Sequence, residues 1–184
     1  MNAMMKPLKE YTIPFVGLKA EKHHFDYQID KKFFKYFEYE DFNDVNVKAS
    51  LLLEKKTTFL ELHFEITGHV NVNCDITNEP YNQEVKGEFN LVVKFGDAYN
   101  DEFEDILIIP HGEYEINVAQ YIYELIILSM PAKRVHPGVE DGTLDSDILR
   151  KLEELSPKDL EEKEQTSEEI DPRWNTLKKL LTDK

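Results

Sequence analysis

The chain has 184 residues, and its 41% hydrophobic content is enough to bury the core of one domain. A formal net charge of -15 argues against broad nonspecific binding to DNA or RNA, because contact with phosphates requires a clustered positive surface. The single cysteine excludes an intrachain disulfide framework and a zinc site built from several cysteines. No apolar run approaches the roughly 20 residues that span a bilayer, and no signal-like segment is evident, so we expect a cytoplasmic protein without membrane contact.

The first part of the chain is predicted to contribute strands to a sheet. Residues 11–15 and 24–29 are predicted edge strands, and the aromatic run at residues 33–37 is an additional candidate. Residues 45–53 have the composition of a longer strand, and the polar residues 54–58 can connect that strand to the next one as a hairpin.

Residues 60–76 alternate between apolar and polar side chains, which is the pattern of a strand with one buried face. Gly68 interrupts the apolar series and predicts a bend or a bulge. The apolar positions are Leu60, Leu62, Phe64, Ile66, Val70, Val72, Cys74 and Ile76.

The following segments are predicted to complete the domain. Residues 84–95 and 106–109 extend the sheet, with a turn at residues 96–97 between them. A helix is predicted over residues 118–129, capped by Asn117 with Gln120 in a reciprocal capping box, and ended by Met130 and Pro131. The expected fold is α+β, an antiparallel sheet packed with one main helix.

Beyond this domain, which we assign to residues 1–137, the composition changes. Residues 138–170 contain a large excess of Asp and Glu and no aromatic residue, so we expect an acidic, partly disordered tether. A short amphipathic helix at residues 146–155 is an alternative for part of it.

Residues 171–184 are predicted to form a C-terminal helix. Asp171 suits the N-cap, Pro172 suits the first helical position, and Trp174, Leu177 and Leu181 recur at helical spacing, with Leu180 widening the stripe. Two interpretations stay open for this apolar stripe. It docks on a partner, or it folds back onto the chain's own domain.

Residue types capable of catalysis or metal binding occur, but their spacing favours simpler roles. Cys74 shares the apolar face of its strand and is predicted to pack in the core. His63 and His69 lie six residues apart on an extended chain, too far for one metal ion. The acids Glu102, Glu104 and Asp105 precede a strand and are predicted to be a solvated loop. We therefore predict no catalytic residue, no cofactor and no metal site.

Three segments together resemble the YceD-like family of bacterial and plastid proteins. The first runs from Cys74 to Pro80, the second comprises residues 124–131 with His136 and Pro137, and the third covers residues 171–180. The family is associated with accumulation of large-subunit ribosomal RNA, so the resemblance implies a role in ribosome assembly. Many relatives carry a second cysteine where this chain has Thr77, so a CxxC metal or redox site is not implied here.

The resemblance also implies which residues bind a partner. By match to the terminal motif, Trp174 is the expected apolar anchor and Arg173 a polar contact. The full set is Asp171, Pro172, Arg173, Trp174, Leu177 and Leu180.

The function that follows is a noncatalytic factor that supports large-subunit assembly and accumulation of its ribosomal RNA. The expected partner is a pre-ribosomal particle, through a ribosomal protein or ribosomal RNA. Two alternatives are a protein-interaction module unrelated to ribosomes and a small enzyme. Capture of partners that lack ribosomal components would indicate the first, and turnover abolished by one substitution in a concave site would indicate the second.

Overall fold

A five-stranded sheet forms the centre of the first of two compact units, Met1–Asp145 and Ser146–Lys184, into which the chain divides. The structure is a computed structural model, and it describes residues 9–144 and 147–156. The strands lie in chain order across the sheet: β2 (Lys22–Asp30), β3 (Asp44–Lys55), β4 (Phe59–Asn73), β5 (Pro80–Gly96) and β6 (Ile106–Pro110). Two further strands, β1 (Thr12–Ile13) and β7 (Ile116–Asn117), pair antiparallel in a separate small sheet.

The alternation along β4 produces one face of the core, as predicted. Its apolar residues are almost completely buried, whereas the polar residues between them are exposed or half-buried. Burial of each such side chain contributes roughly 1.5–3 kcal/mol relative to exposure. The prediction that Cys74 packs in the core is confirmed, because only 2% of this residue is exposed.

Of the two features predicted at Gly68, the bulge does not form, and the bend stays a prediction. Pairing continues without an extra residue on both sides, with Val47 opposite Gly68 in β3 and Val85 opposite it in β5. A Cβ atom on Gly68 would lie 2.3 Å from the carbonyl oxygen of Asn46 and 2.6 Å from the Cα of Val47. The glycine is therefore explained by the close approach of two backbones.

The sheet is antiparallel except at β6, which runs parallel to β5. The predicted α+β fold, an antiparallel sheet packed with one main helix, is confirmed, and among the described strands β6 alone departs from the antiparallel arrangement. The segment 97–105 is long enough to return the chain from the end of β5 to Val92, where Ile106 begins the parallel pairing. Within that segment Asn100 forms an antiparallel bridge with Ile108. The segment that precedes β6 in the chain therefore pairs with β6 through one antiparallel bridge.

The aromatic run near residue 33 forms helix α1 (Lys31–Lys35) and not a strand. Asp30 caps it, because one carboxylate oxygen accepts hydrogen bonds from the amides of Lys32 at 2.9 Å and Phe33 at 3.2 Å. Phe33 and Phe34 are buried in the core. The cap thus turns the end of β2 directly into a helix whose aromatic side chains close one end of the domain.

Helix α2 (Ala119–Leu128) is the main helix, and it packs on β4 and β5. Its predicted capping box does not form, because the side-chain amide of Gln120 donates to the Glu124 carboxylate at 2.8 Å. Asn117 instead accepts a hydrogen bond from the amide of Ala119 at 3.0 Å. Close packing on β5 is possible because Gly87 has no side chain at the position that faces the end of α2.

Two shorter helices follow, α3 (Pro137–Glu140) in the first unit and α4 (Asp147–Leu155) in the second. Helix α4 lies where the amphipathic pattern suggested a helix, and none of its residues is buried. The division of the tail at residues 138–170 and 171–184 stays a prediction. Within the described residues, no helix is long and apolar enough to cross a membrane.

Candidate functional site

The residues predicted to bind a partner lie outside the described part of the chain, so the structure does not place them. Their role in docking, and the choice between docking on a partner and folding back, therefore stay predictions. They are Asp171, Pro172, Arg173, Trp174, Leu177 and Leu180.

The other two segments that carried the resemblance meet in space. The first is a tight turn after β4, closed by the amide of Cys74 donating to the Glu79 carbonyl at 2.9 Å. The amide of Asn78 donates back to the Cys74 carbonyl at 2.8 Å. Asn78 has a φ of 59°, a left-handed conformation that asparagine tolerates better than most residues. The residue types of this turn thus match its backbone geometry.

The stretch that follows α2 and leads to His136 of the second segment is bound to this turn by hydrogen bonds. The amide of Asp75 donates to the Arg134 carbonyl at 2.8 Å, and the amide of Arg134 donates to the Asp75 carboxylate at 2.7 Å. The amide of His136 donates to the sulfur of Cys74 at 3.3 Å. The ring of His136 accepts from the amide of Gly138 at 2.9 Å, which starts α3. Residues about sixty positions apart therefore form one junction.

The thiol of Cys74 lies at the centre of this junction. Burial by itself raises the pKa of the thiol, but hydrogen bonds from the Thr77 side chain and from the amides of His136, Thr77 and Ile76 outweigh burial and lower it. The sulfur is thus an acceptor that satisfies buried amides, and its burial limits access by other molecules. Thr77 is also buried. The geometry indicates a structural role for the junction.

The remaining polar candidates do not converge with Cys74. His63 contacts Asn90, with 2.6 Å between the ring nitrogen Nδ1 and the amide oxygen, on the polar face of the sheet. Glu102, Glu104 and Asp105 are exposed in the segment before β6, as predicted. Among the described residues, no group of three or more His, Cys, Asp or Glu side chains is placed to hold a metal ion.

Sequence reasoning missed a surface cleft beside α2, which is about 460 Å³ in volume. Glu104 and Glu124 both line the cleft, although twenty positions separate them. Leu128, at the end of α2, marks the cleft because it is 82% exposed. The lining residues are Phe89, Glu104, Tyr121, Glu124, Leu125 and Leu128.

Comparison with known proteins identifies one family. The family model described as "Large ribosomal RNA subunit accumulation protein YceD" matches residues 62–181, which is more than half of the chain. The match includes the Cys74 turn, the segment after α2 and the terminal residues 171–180. No curated protein and no solved structure gives a significant match.

Proposed function

Because the chain belongs to the YceD family, we propose that it supports assembly of the large ribosomal subunit and accumulation of its ribosomal RNA. In this proposal it acts in the cytoplasm, without catalysing a reaction, by docking on a pre-ribosomal particle through residues 171–180. The observation that carries the proposal is the family match, which extends through the terminal motif.

One observation of the structure and one of the composition support a scaffold. The Cys74 junction uses the polar groups of two family segments for hydrogen bonds within the protein, as a rigid support would. The acidic character of the chain suits contact with basic ribosomal proteins.

The test is sedimentation of native cell extract through a density gradient at low salt. Tagged full-length protein is compared with a version that ends at Ile170, and ribosomal RNA and ribosomal proteins are measured in every fraction. We expect full-length protein to co-migrate with large-subunit precursors, and we expect truncation to remove it from those fractions. The circular dichroism spectrum of the truncated protein is the control for folding of the domain.

Two sedimentation results would contradict the proposal in whole or in part. If both versions stay with free soluble proteins, stable docking on the particle is rejected. If both co-migrate equally, residues 171–184 are not the docking element, although the assembly role is retained.

A further inference from the structure

The cleft beside α2 has an apolar floor that is open to solvent. Tyr121 stacks on Phe89 with ring centroids 6.2 Å apart, and Phe64 lies beneath both rings at 6.0 Å from each. Leu128 closes one side, and with 82% of its surface exposed it is the most exposed large apolar residue of the described chain. An aliphatic side chain left in water beside an aromatic floor favours burial by another apolar group.

A second, smaller cleft of about 170 Å³ extends the first one towards β6. The two clefts share Glu104, Tyr121 and Glu124 in their linings. Phe103 and Tyr99 line the second cleft and are 55% and 59% exposed. The combined surface is therefore an elongated groove with aromatic and aliphatic groups along it.

The charged residues that line the two clefts, Asp101, Glu104 and Glu124, are all acidic. Between Lys94 and Lys133 the sequence contains no Lys or Arg. Within the part of the chain that the structure describes, none of the acids in this interval forms a salt bridge. The acids are Asp97, Asp101, Glu102, Glu104, Asp105, Glu113, Glu115 and Glu124, and all are exposed.

We propose that this groove is a docking site for a basic amphipathic segment of another protein, with a large apolar side chain against Tyr121 and Leu128 and Lys or Arg facing Glu104 and Glu124. Charge complementarity selects this occupant, since cations would pair with the acidic lining and steer the segment to the groove. A hydrophobic anchor surrounded by charge pairs is the arrangement of an amphipathic helix in a groove. The site uses residues other than 171–184, so it does not depend on the docking element of the proposed function.

The test uses full-length protein and a synthetic helical peptide with Leu and Trp on one face and Lys and Arg on the other. Fluorescence anisotropy measures the affinity of the peptide for the protein. A second peptide, in which Glu replaces Lys and Arg, tests whether binding requires positive charge. We expect the basic peptide to bind and the acidic peptide not to bind.

Substitutions in the groove test which of its residues bind the peptide. Glu104→Gln/Glu124→Gln should weaken binding about three- to tenfold. Leu128→Ser should weaken peptide binding about tenfold. The protein should stay folded, because the Leu128 side chain is exposed.

Two control variants separate the groove from general effects. Glu65→Gln/Glu88→Gln removes the same charge from exposed positions on the polar face of the sheet, and Val16→Ser removes an aliphatic group that is 62% exposed. Both controls should bind within about twofold of the original protein. The proposal would be overturned if the control variants lost as much affinity for the peptide as the groove variants, or if the groove variants lost none.

A photo-crosslinking residue at position 128 identifies the occupant directly. Mass spectrometry of the cross-linked product should show the basic peptide joined to position 128. A cross-link to a second copy of the protein, or to residues 171–184 of the same chain, in the presence of saturating peptide would contradict the proposed occupant. These outcomes are independent of sedimentation with ribosomal precursors, so failure here leaves the assembly proposal to its own test.

Discussion

Gly68 lies where β3 and β4 approach too closely for a side chain. Because the atoms that a Cβ would meet belong to the backbone of Asn46 and Val47, they cannot rotate away. We expect Gly68→Ala to lower the free energy of unfolding by about 2–3 kcal/mol, through displacement of paired strands. Urea denaturation followed by circular dichroism measures the change.

The matched control for this substitution is Gly112→Ala. No atom lies within 4 Å of the position of its Cβ, so this change should alter stability by less than about 0.5 kcal/mol. If the Gly68→Ala protein is as stable as the control, the strands can move apart at this position without loss of stability. That result would contradict the role given to the close approach of the two backbones.

Individual residues differ in how far the sequence reveals their roles. The buried position of Cys74 could be predicted because alternation along β4 extends to it. Its hydrogen bond with His136 could not, because no local pattern specifies which distant segment reaches the end of a strand. The family resemblance indicated both segments but not their contact.

At the scale of elements, the cap of α1 offers a direct test. Asp30→Ala removes the acceptor for two amides at the start of the helix and should lower the free energy of unfolding by about 1 kcal/mol. Asp30→Asn keeps an oxygen acceptor and should lie within about 0.5 kcal/mol of the original protein. Thermal unfolding of the two variants side by side is the measurement, and equal loss in both would assign the effect to the charge instead of the cap.

The same helix shows why some elements could not be predicted. A five-residue helix is too short to display the 3.6-residue period, and its aromatic residues also favour strands. The direction of β6 could not be predicted for a different reason, since the alternation and burial of side chains are the same in parallel and antiparallel pairs. Longer elements with a sustained pattern, β3, β4 and α2, were assigned correctly, although the capping contacts of α2 were not.

For the whole molecule, the distribution of charge is more informative than its total. The chain carries a net charge of -15, yet residues 171–184 contain Arg173, Lys178, Lys179 and Lys184 against Asp171 and Asp183. A particle built from RNA and basic proteins presents surfaces that complement both signs. The proposed function uses the terminal segment, and the groove beside α2 supplies an acidic surface at a separate part of the sequence.

Trp174→Ala tests whether the terminal segment acts on a partner or on its own domain. If Trp174 is an interface anchor, the substitution should weaken binding to large-subunit precursors by at least about 1–2 kcal/mol, because a large apolar contact is lost. The free energy of unfolding of the sheet domain should not change. Thr176→Ala, in the same segment but outside the apolar stripe, is the control and should sediment like the original protein. Loss of thermal stability with retained co-sedimentation would instead indicate that the segment folds back, because the tryptophan would then stabilise the domain itself.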